Sequence, residues 1–158
     1  MYKTFLFTTS LVFSLVACEK RSEVVYTVYP VYPENYEPEN EASFKNTVNN
    51  HVFFSINSSK LTKDAKKILD KQIGWLNKNS NTVLIIEGHS DERGSSKYNL
   101  QLSARRAEAV KNYLIAKGLL KTRIRTVSFG KEHPEFVGHN VNIWSKNRSA
   151  VTIVHRAN

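Results

Sequence analysis

From Val52 onward the apolar positions change period several times. Val52-Phe53-Phe54-Ser55-Ile56 reads as a strand. Ala65, Ile68, Leu69, Ile73 and Leu76 then recur at helical spacing, with Thr62 as N-cap and the helix running to about Asn79. Asn79-Ser80-Asn81 makes a turn, and Thr82-Val83-Leu84-Ile85-Ile86 reads as a continuous apolar strand of the kind buried on both faces. Gly88 to Ser96 is polar and predicts a loop. A second helix is expected from about Asn99 to Lys117, with Ala107, Val110 and Leu114 on one face and Gly118 at its C-terminal end. Ile124 to Phe129 predicts a third strand, Gly130 to Ser145 a long loop, and Ala150 to His155 a last strand. The order β-α-β-α-β-β predicts an α+β fold, a two-layer α/β sandwich. Its βαβ connections should cross right-handed and set both helices on one face.

The chain before this pattern has a different character. Met1-Tyr2-Lys3-Thr4 is basic, and Phe5 to Val16 carries no charge. That apolar run is about 12 residues, short of the roughly 20 needed to span a bilayer, and it fits a secretory signal over residues 1–17. It ends in Leu15-Val16-Ala17-Cys18, which resembles the lipobox of bacterial lipoproteins. The thiolate of Cys18 is a nucleophile able to carry a thioether-linked diacylglycerol, and cleavage would free its amine for an acyl chain. Several such chains give stable anchoring where one does not. In the lipoproteins that this segment resembles, an aspartate after the cysteine tends to retain the protein at the inner membrane; Glu19 stands there instead, so the resemblance implies the outer membrane. Residues 18–44 read as an acidic tether: three of the four prolines lie here, spaced by tyrosines, and proline enforces extended backbone. A tether of about 25 residues could reach up to about 75 Å. The globular domain is expected over 45–158.

Composition narrows the classes. The 158 residues, 41% hydrophobic and 23% charged, supply one core. A single cysteine excludes an internal disulfide framework. The net charge of +9 is unevenly spread: Lys20 and Arg21 face six glutamates in 18–42, whereas residues 43–158 hold twenty Lys and Arg against eight Asp and Glu. So basic a domain wants an anionic neighbourhood. An exported chain would not meet nucleic acid, so a wall polymer or lipid headgroup fits better. His51, His133, His139 and His155 match no zinc spacing, and no metal or other cofactor is expected.

The loop Glu87-Gly88-His89-Ser90-Asp91-Glu92-Arg93-Gly94 follows the second strand, where α/β sheets bind ligands. Arg105 and Arg106 lie about two turns into the next helix. Asp91 and an arginine could therefore face each other across a cleft. Two arrangements fit that spacing: a salt bridge between them, or a clamp in which Asp91 takes the ammonium and the arginine the carboxylate of a zwitterion. His89, Ser90 and Asp91 have the composition of a hydrolytic triad, but adjacent residues cannot stack in that geometry, and no Gly-x-Ser-x-Gly elbow is present. A cell-wall hydrolase, and a lipoprotein exposed to host molecules, remain the alternatives.

Gly88 to Gly94, Tyr98-Asn99-Leu100, Leu102-Ser103, Arg105-Arg106-Ala107, Val127 to Glu132, Gly138-His139 and Trp144 to Arg148 closely resemble the peptidoglycan-associated lipoprotein family, whose globular part is an OmpA-like peptidoglycan-binding domain. The resemblance covers about residues 50–154. It implies a mixed sheet with helices on one face and no enzymatic activity. It implies that Asp91 and Arg106 hold the ammonium and carboxylate of meso-diaminopimelate on the peptidoglycan stem peptide. Arg93 and Leu102 match supporting contacts, Phe54 an aromatic lining the site, and Asn99 and Arg148 positions that shape it. The family usually reads Phe-Asp-Phe-Asp where this chain has Phe54-Ser55-Ile56-Asn57. Ser55 thus replaces a charged ligand contact with a neutral one, which implies weaker binding. Ser149 likewise stands where a second arginine is usual. As partners the resemblance implies peptidoglycan, the outer membrane through the lipid on Cys18, and a TolB-like periplasmic protein of the Tol system active in envelope constriction.

Overall fold

The computed structural model describes residues 38–156, so the signal segment, Cys18 and the tether up to residue 37 lie outside the described residues. The elements are α1 (Pro38–Thr47), β1 (His51–Phe53), α2 (Lys63–Lys78), β2 (Thr82–His89), α3 (Ser96–Ala116), a 3-10 turn (Lys121–Arg123), β3 (Ile124–Gly130), α4 (Val141–Asn147) and β4 (Ser149–Arg156). The sheet order is β1-β4-β2-β3, with β2 and β3 parallel and β4 antiparallel to both its neighbours. This is the expected α+β architecture with a mixed sheet.

One face of the sheet carries the main core. Leu84 and Ile86 of β2, Ile124 of β3 and Ala150 and Val154 of β4 pack with Ala65, Leu69 and Leu76 of α2 and Ala107, Val110 and Leu114 of α3. The alternate residues Ile85, Val151 and Ile153 form a smaller cluster on the opposite face. β2 is therefore buried on both sides, as its unbroken apolar run requires.

Four boundaries differ from expectation. β1 ends at Phe53 rather than Ile56: the carbonyls of Phe54 and Ser55 are taken by Arg148 and Arg106, and Asn57 turns the chain at φ 53°. β2 runs on to His89, because Gly88 pairs with both Ala150 and Ser128. A Cβ at Gly88 would collide with the Ser103 carbonyl, so glycine lets α3 close tightly on the strand. α3 begins at Ser96, three residues before Asn99, because Ser95 caps it by accepting from the Tyr98 amide. α4 begins inside the expected 130–145 loop, capped by Asn140, and runs two residues past its end.

The folded unit also reaches back into the segment expected to be tether. Pro38 opens α1, where a missing N–H costs nothing. Phe44 is fully buried edge-on to Trp75 at 5.0 Å between centroids, and Val48 joins the same core. The domain boundary at residue 45 is thus too late. A helix anchored in the core by Phe44, and followed at once by the buried Val48, belongs to the domain, not to the linker.

Candidate functional site

β2 delivers Asp91 to the top of the sheet and α3 delivers Arg106, with the loop 90–95 between them. That loop is held from three sides. Asn99 donates to the Arg93 carbonyl at 2.8 Å, Lys131 donates to the Gly94 carbonyl at 2.8 Å, and the Ser90 amide donates to the Gly130 carbonyl at 2.8 Å. Gly94 takes φ 91°, a conformation other residues rarely adopt.

Asp91 is 7% exposed and carries two ion pairs. Arg93 grips it with Nε on Oδ1 at 3.2 Å and Nη2 on Oδ2 at 2.7 Å, and its backbone N–H also donates to Oδ1. Arg148 adds Nη1 to Oδ2 at 3.3 Å. Burial pushes the Asp91 carboxyl up, but the hydrogen bonds from Arg93 and Arg148 outweigh it and hold the group below its ordinary value. It is ionised at neutral pH.

Arg106 has no exposure at all. Its Nε donates to the Ser58 carbonyl at 2.9 Å, Nη1 to the His89 carbonyl at 2.8 Å and Nη2 to the Ser55 carbonyl at 3.3 Å, with the Phe54 ring 5.3 Å away. Burial, then the charge of Arg148, lowers its pKa to about 10, partly offset by Asp91. The guanidinium remains charged at neutral pH. No ion pair joins Asp91 to Arg106 among the described residues, so the salt-bridge arrangement is not the one adopted. Nor do the two face across an open cleft: Arg106 sits behind the Ser55–Ser58 turn that it holds in place. The two groups nonetheless share one site, since His89 links them, accepting from Arg106 two residues before Asp91.

The other expected residues gather here as well. Leu102 is 3% exposed and lies one turn before Arg106. Phe54 is buried beside Arg106, and Arg148 bridges Asp91 to the Phe54 carbonyl at 3.1 Å. Ser55 is exposed, with its carbonyl committed to Arg106. Two shallow grooves border the turn. One, of about 320 Å³, is lined by Ile56, Asn57, Asp91, Arg93, Gly94 and Tyr98. The other is bordered by Phe53, Ser55 and Arg148.

Sequence reasoning assigned no role to a third layer. The Arg93 guanidinium lies over the Trp144 ring at 4.5 Å. Trp144 Nε1 donates to Glu92 Oε1 at 2.7 Å, and His139 pairs with Glu92 Oε2 at 2.6 Å. These contacts lock α4 onto the loop. The available signal was Asn140 ahead of Val141-Asn142-Ile143-Trp144, a cap before an apolar turn. The adjacent trio does not form a triad: His89 is stacked on Phe129 at 5.3 Å, Asp91 is bound to arginines, and the buried Ser90 Oγ has no hydrogen-bond partner. Among the described residues no group of three or more His, Cys, Asp or Glu could hold a metal ion, and no helix is long and apolar enough to cross a membrane.

Comparison with known proteins gives the family. The OmpA family model matches residues 53–148. The chain is 44% identical over 117 residues to the peptidoglycan-associated lipoprotein of Rhizobium meliloti, covering 74% of this chain and 66% of that protein. It is 40% identical over 120 residues to the one from Mesorhizobium japonicum, covering 76% and 71%. The chain thus spans about two thirds of the length of these relatives. Among solved structures, the peptidoglycan-associated lipoprotein from Burkholderia pseudomallei aligns with a TM-score of 0.65 at 33% identity, covering 67% of this chain and 90% of that one. The periplasmic domain of Helicobacter pylori MotB shares the fold at 18% identity and a TM-score of 0.59, covering 68% and 71%. The chain belongs to the OmpA family, and within it is similar to the peptidoglycan-associated lipoproteins.

Proposed function

We propose that this domain is a non-catalytic binder of peptidoglycan that takes the free zwitterionic end of meso-diaminopimelate on the stem peptide. The observation that carries the reading is an excess of guanidinium: three arginines, Arg93, Arg106 and Arg148, lie about two acids, Asp91, which Arg93 and Arg148 grip, and Glu92, which is turned to Trp144 and His139. A carboxylate suits an ammonium, and the surplus of guanidinium suits a carboxylate. Asp91 receives the ammonium. Arg93 can yield to it, because the Trp144 ring offers that guanidinium a second seat. Arg106 has five N–H donors and directs three at carbonyls, which leaves two for the ligand carboxylate once the Ser55–Ser58 turn gives way.

At the other end a diacylglycerol and an acyl chain such as palmitate on Cys18 hold the chain in the outer membrane, with the domain in the periplasm. The names of the relatives support both the lipid and the wall association. Two modest attachments joined by a linker raise overall avidity without new contacts. A TolB-like periplasmic protein of the Tol–Pal system, and a role in envelope constriction at division, complete the proposal.

Co-sedimentation with purified sacculi tests the wall contact. Asp91→Asn should weaken it at least about tenfold while the domain stays folded. Undiminished binding would remove the clamp, and release of soluble wall fragments by the unaltered protein would make it a hydrolase instead. Cys18→Ser should move the full chain from the detergent phase to the aqueous phase; unchanged partitioning would refute lipidation.

A further inference from the structure

The zwitterionic clamp leaves positive charge unused. On the reading above, on which this inference rests, one diaminopimelate end brings one positive and one negative charge. The excess of guanidinium around Asp91 is therefore not neutralised by it.

Part of that excess borders a second groove, of about 580 Å³, lined among others by Phe53, Ser55, Asp64, Lys146 and Arg148. Arg148 stands between the two binding regions. Its Nη1 meets Asp91 and its Nε the Phe54 carbonyl, while Nη2 makes no hydrogen bond among the described residues. Lys146 lies 5.2 Å from the centre of the Phe136 ring and has no carboxylate partner among the described residues. The groove's one acid, Asp64, is turned to solvent with 86% side-chain exposure and is paired with Lys67 at 3.1 Å. Ser55 adds no charge. Phe53, 40% exposed, supplies an apolar wall for methylene groups. Two cations, a neutral hydroxyl and an aromatic wall suit an aliphatic chain that ends in a carboxylate.

We propose that this groove receives a second carboxylate of the same wall peptide, held between Lys146 Nζ and Arg148 Nη2. A stem peptide has such a group beside its diaminopimelate: the free α-carboxylate of a glutamate linked through its side chain. The protein then reads an acidic peptide, not one amino acid, and it distinguishes walls whose glutamate is free from walls whose glutamate is amidated.

Calorimetric titration with two synthetic tripeptides tests this. One is L-Ala-γ-D-Glu-meso-diaminopimelate; the other has its glutamate α-carboxylate converted to a carboxamide. The full chain should bind the acid about fivefold more tightly than the amide. The gap should shrink in about 0.5 M salt, as expected of partly exposed charges. In Lys146→Gln the gap should close through weaker binding of the acid, with affinity for the amide unchanged, which also reports an intact fold. Equal affinities in the unaltered protein, or a full gap persisting in Lys146→Gln, would overturn the groove's role. Failure of both peptides to bind the unaltered protein would overturn the clamp itself, a separate result.

Discussion

Arg106 and Asp91 differ in what else they hold. Arg106 fastens three backbone carbonyls from two segments, those of Ser55, Ser58 and His89, and does so fully buried. Lysine has one nitrogen and cannot span three acceptors in a fork. Arg106→Lys should therefore lower stability by about 3 kcal/mol as well as abolish wall binding, because it strands buried carbonyls. Thermal unfolding of the variant beside Asp91→Asn checks this: a melting point equal to that of the unaltered protein would mean that the carbonyl contacts are idle. The same bonds explain why the strand-like run ending at Ile56 leaves the sheet after Phe53. Phe54 donates to the Arg148 carbonyl, and the next carbonyls are captured by arginines about 50 and 90 positions away. Local apolar pattern has no access to partners that distant. The loop beyond β2 was legible as a candidate site, because α/β sheets bind ligands at the carboxyl ends of their strands. Spacing left Arg105 and Arg106 open, the family resemblance pointed to Arg106, and its side chain reaches the His89 carbonyl instead of Asp91 itself.

At the scale of elements, α1 is the clearest departure from a pattern-based reading. Its residues are mostly polar, and Pro38 looks like more tether. The signals that count are proline at the first helical position, acids in the first turn, and Phe44, whose burial depends on Trp75 of α2. Trp75 also went unremarked in the helical repeat, as did Gln72, which is buried because it donates to the Asn49 carbonyl and accepts from Thr152. Phe44→Ala should cost about 3 kcal/mol, within the range for a buried aromatic. Denaturant unfolding measures it, and a change under about 1 kcal/mol would return α1 to the linker. By contrast α2, β2 and the body of α3 were readable, since each pairs one strong period with one buried face. α4 was not, because its seven residues are anchored chiefly by Trp144 and Asn147 reaching other loops.

Across the whole molecule, an acidic amino-terminal segment precedes a strongly basic domain, and the domain's chemistry converges at one end, where β2 stops and α3 starts. On the proposed function, that end holds an amino acid by its ammonium and its carboxylate at once. L-Lysine carries the side-chain ammonium of diaminopimelate without the adjoining carboxylate, so it isolates the second half of that grip. The direct measurement is calorimetric titration of the unaltered protein with two stem tripeptides that differ only in carrying meso-diaminopimelate or L-lysine. The diaminopimelate peptide should bind at least about tenfold more tightly, the worth of one charge-assisted contact to a buried guanidinium; equal affinity for the two would contradict a grip on both groups.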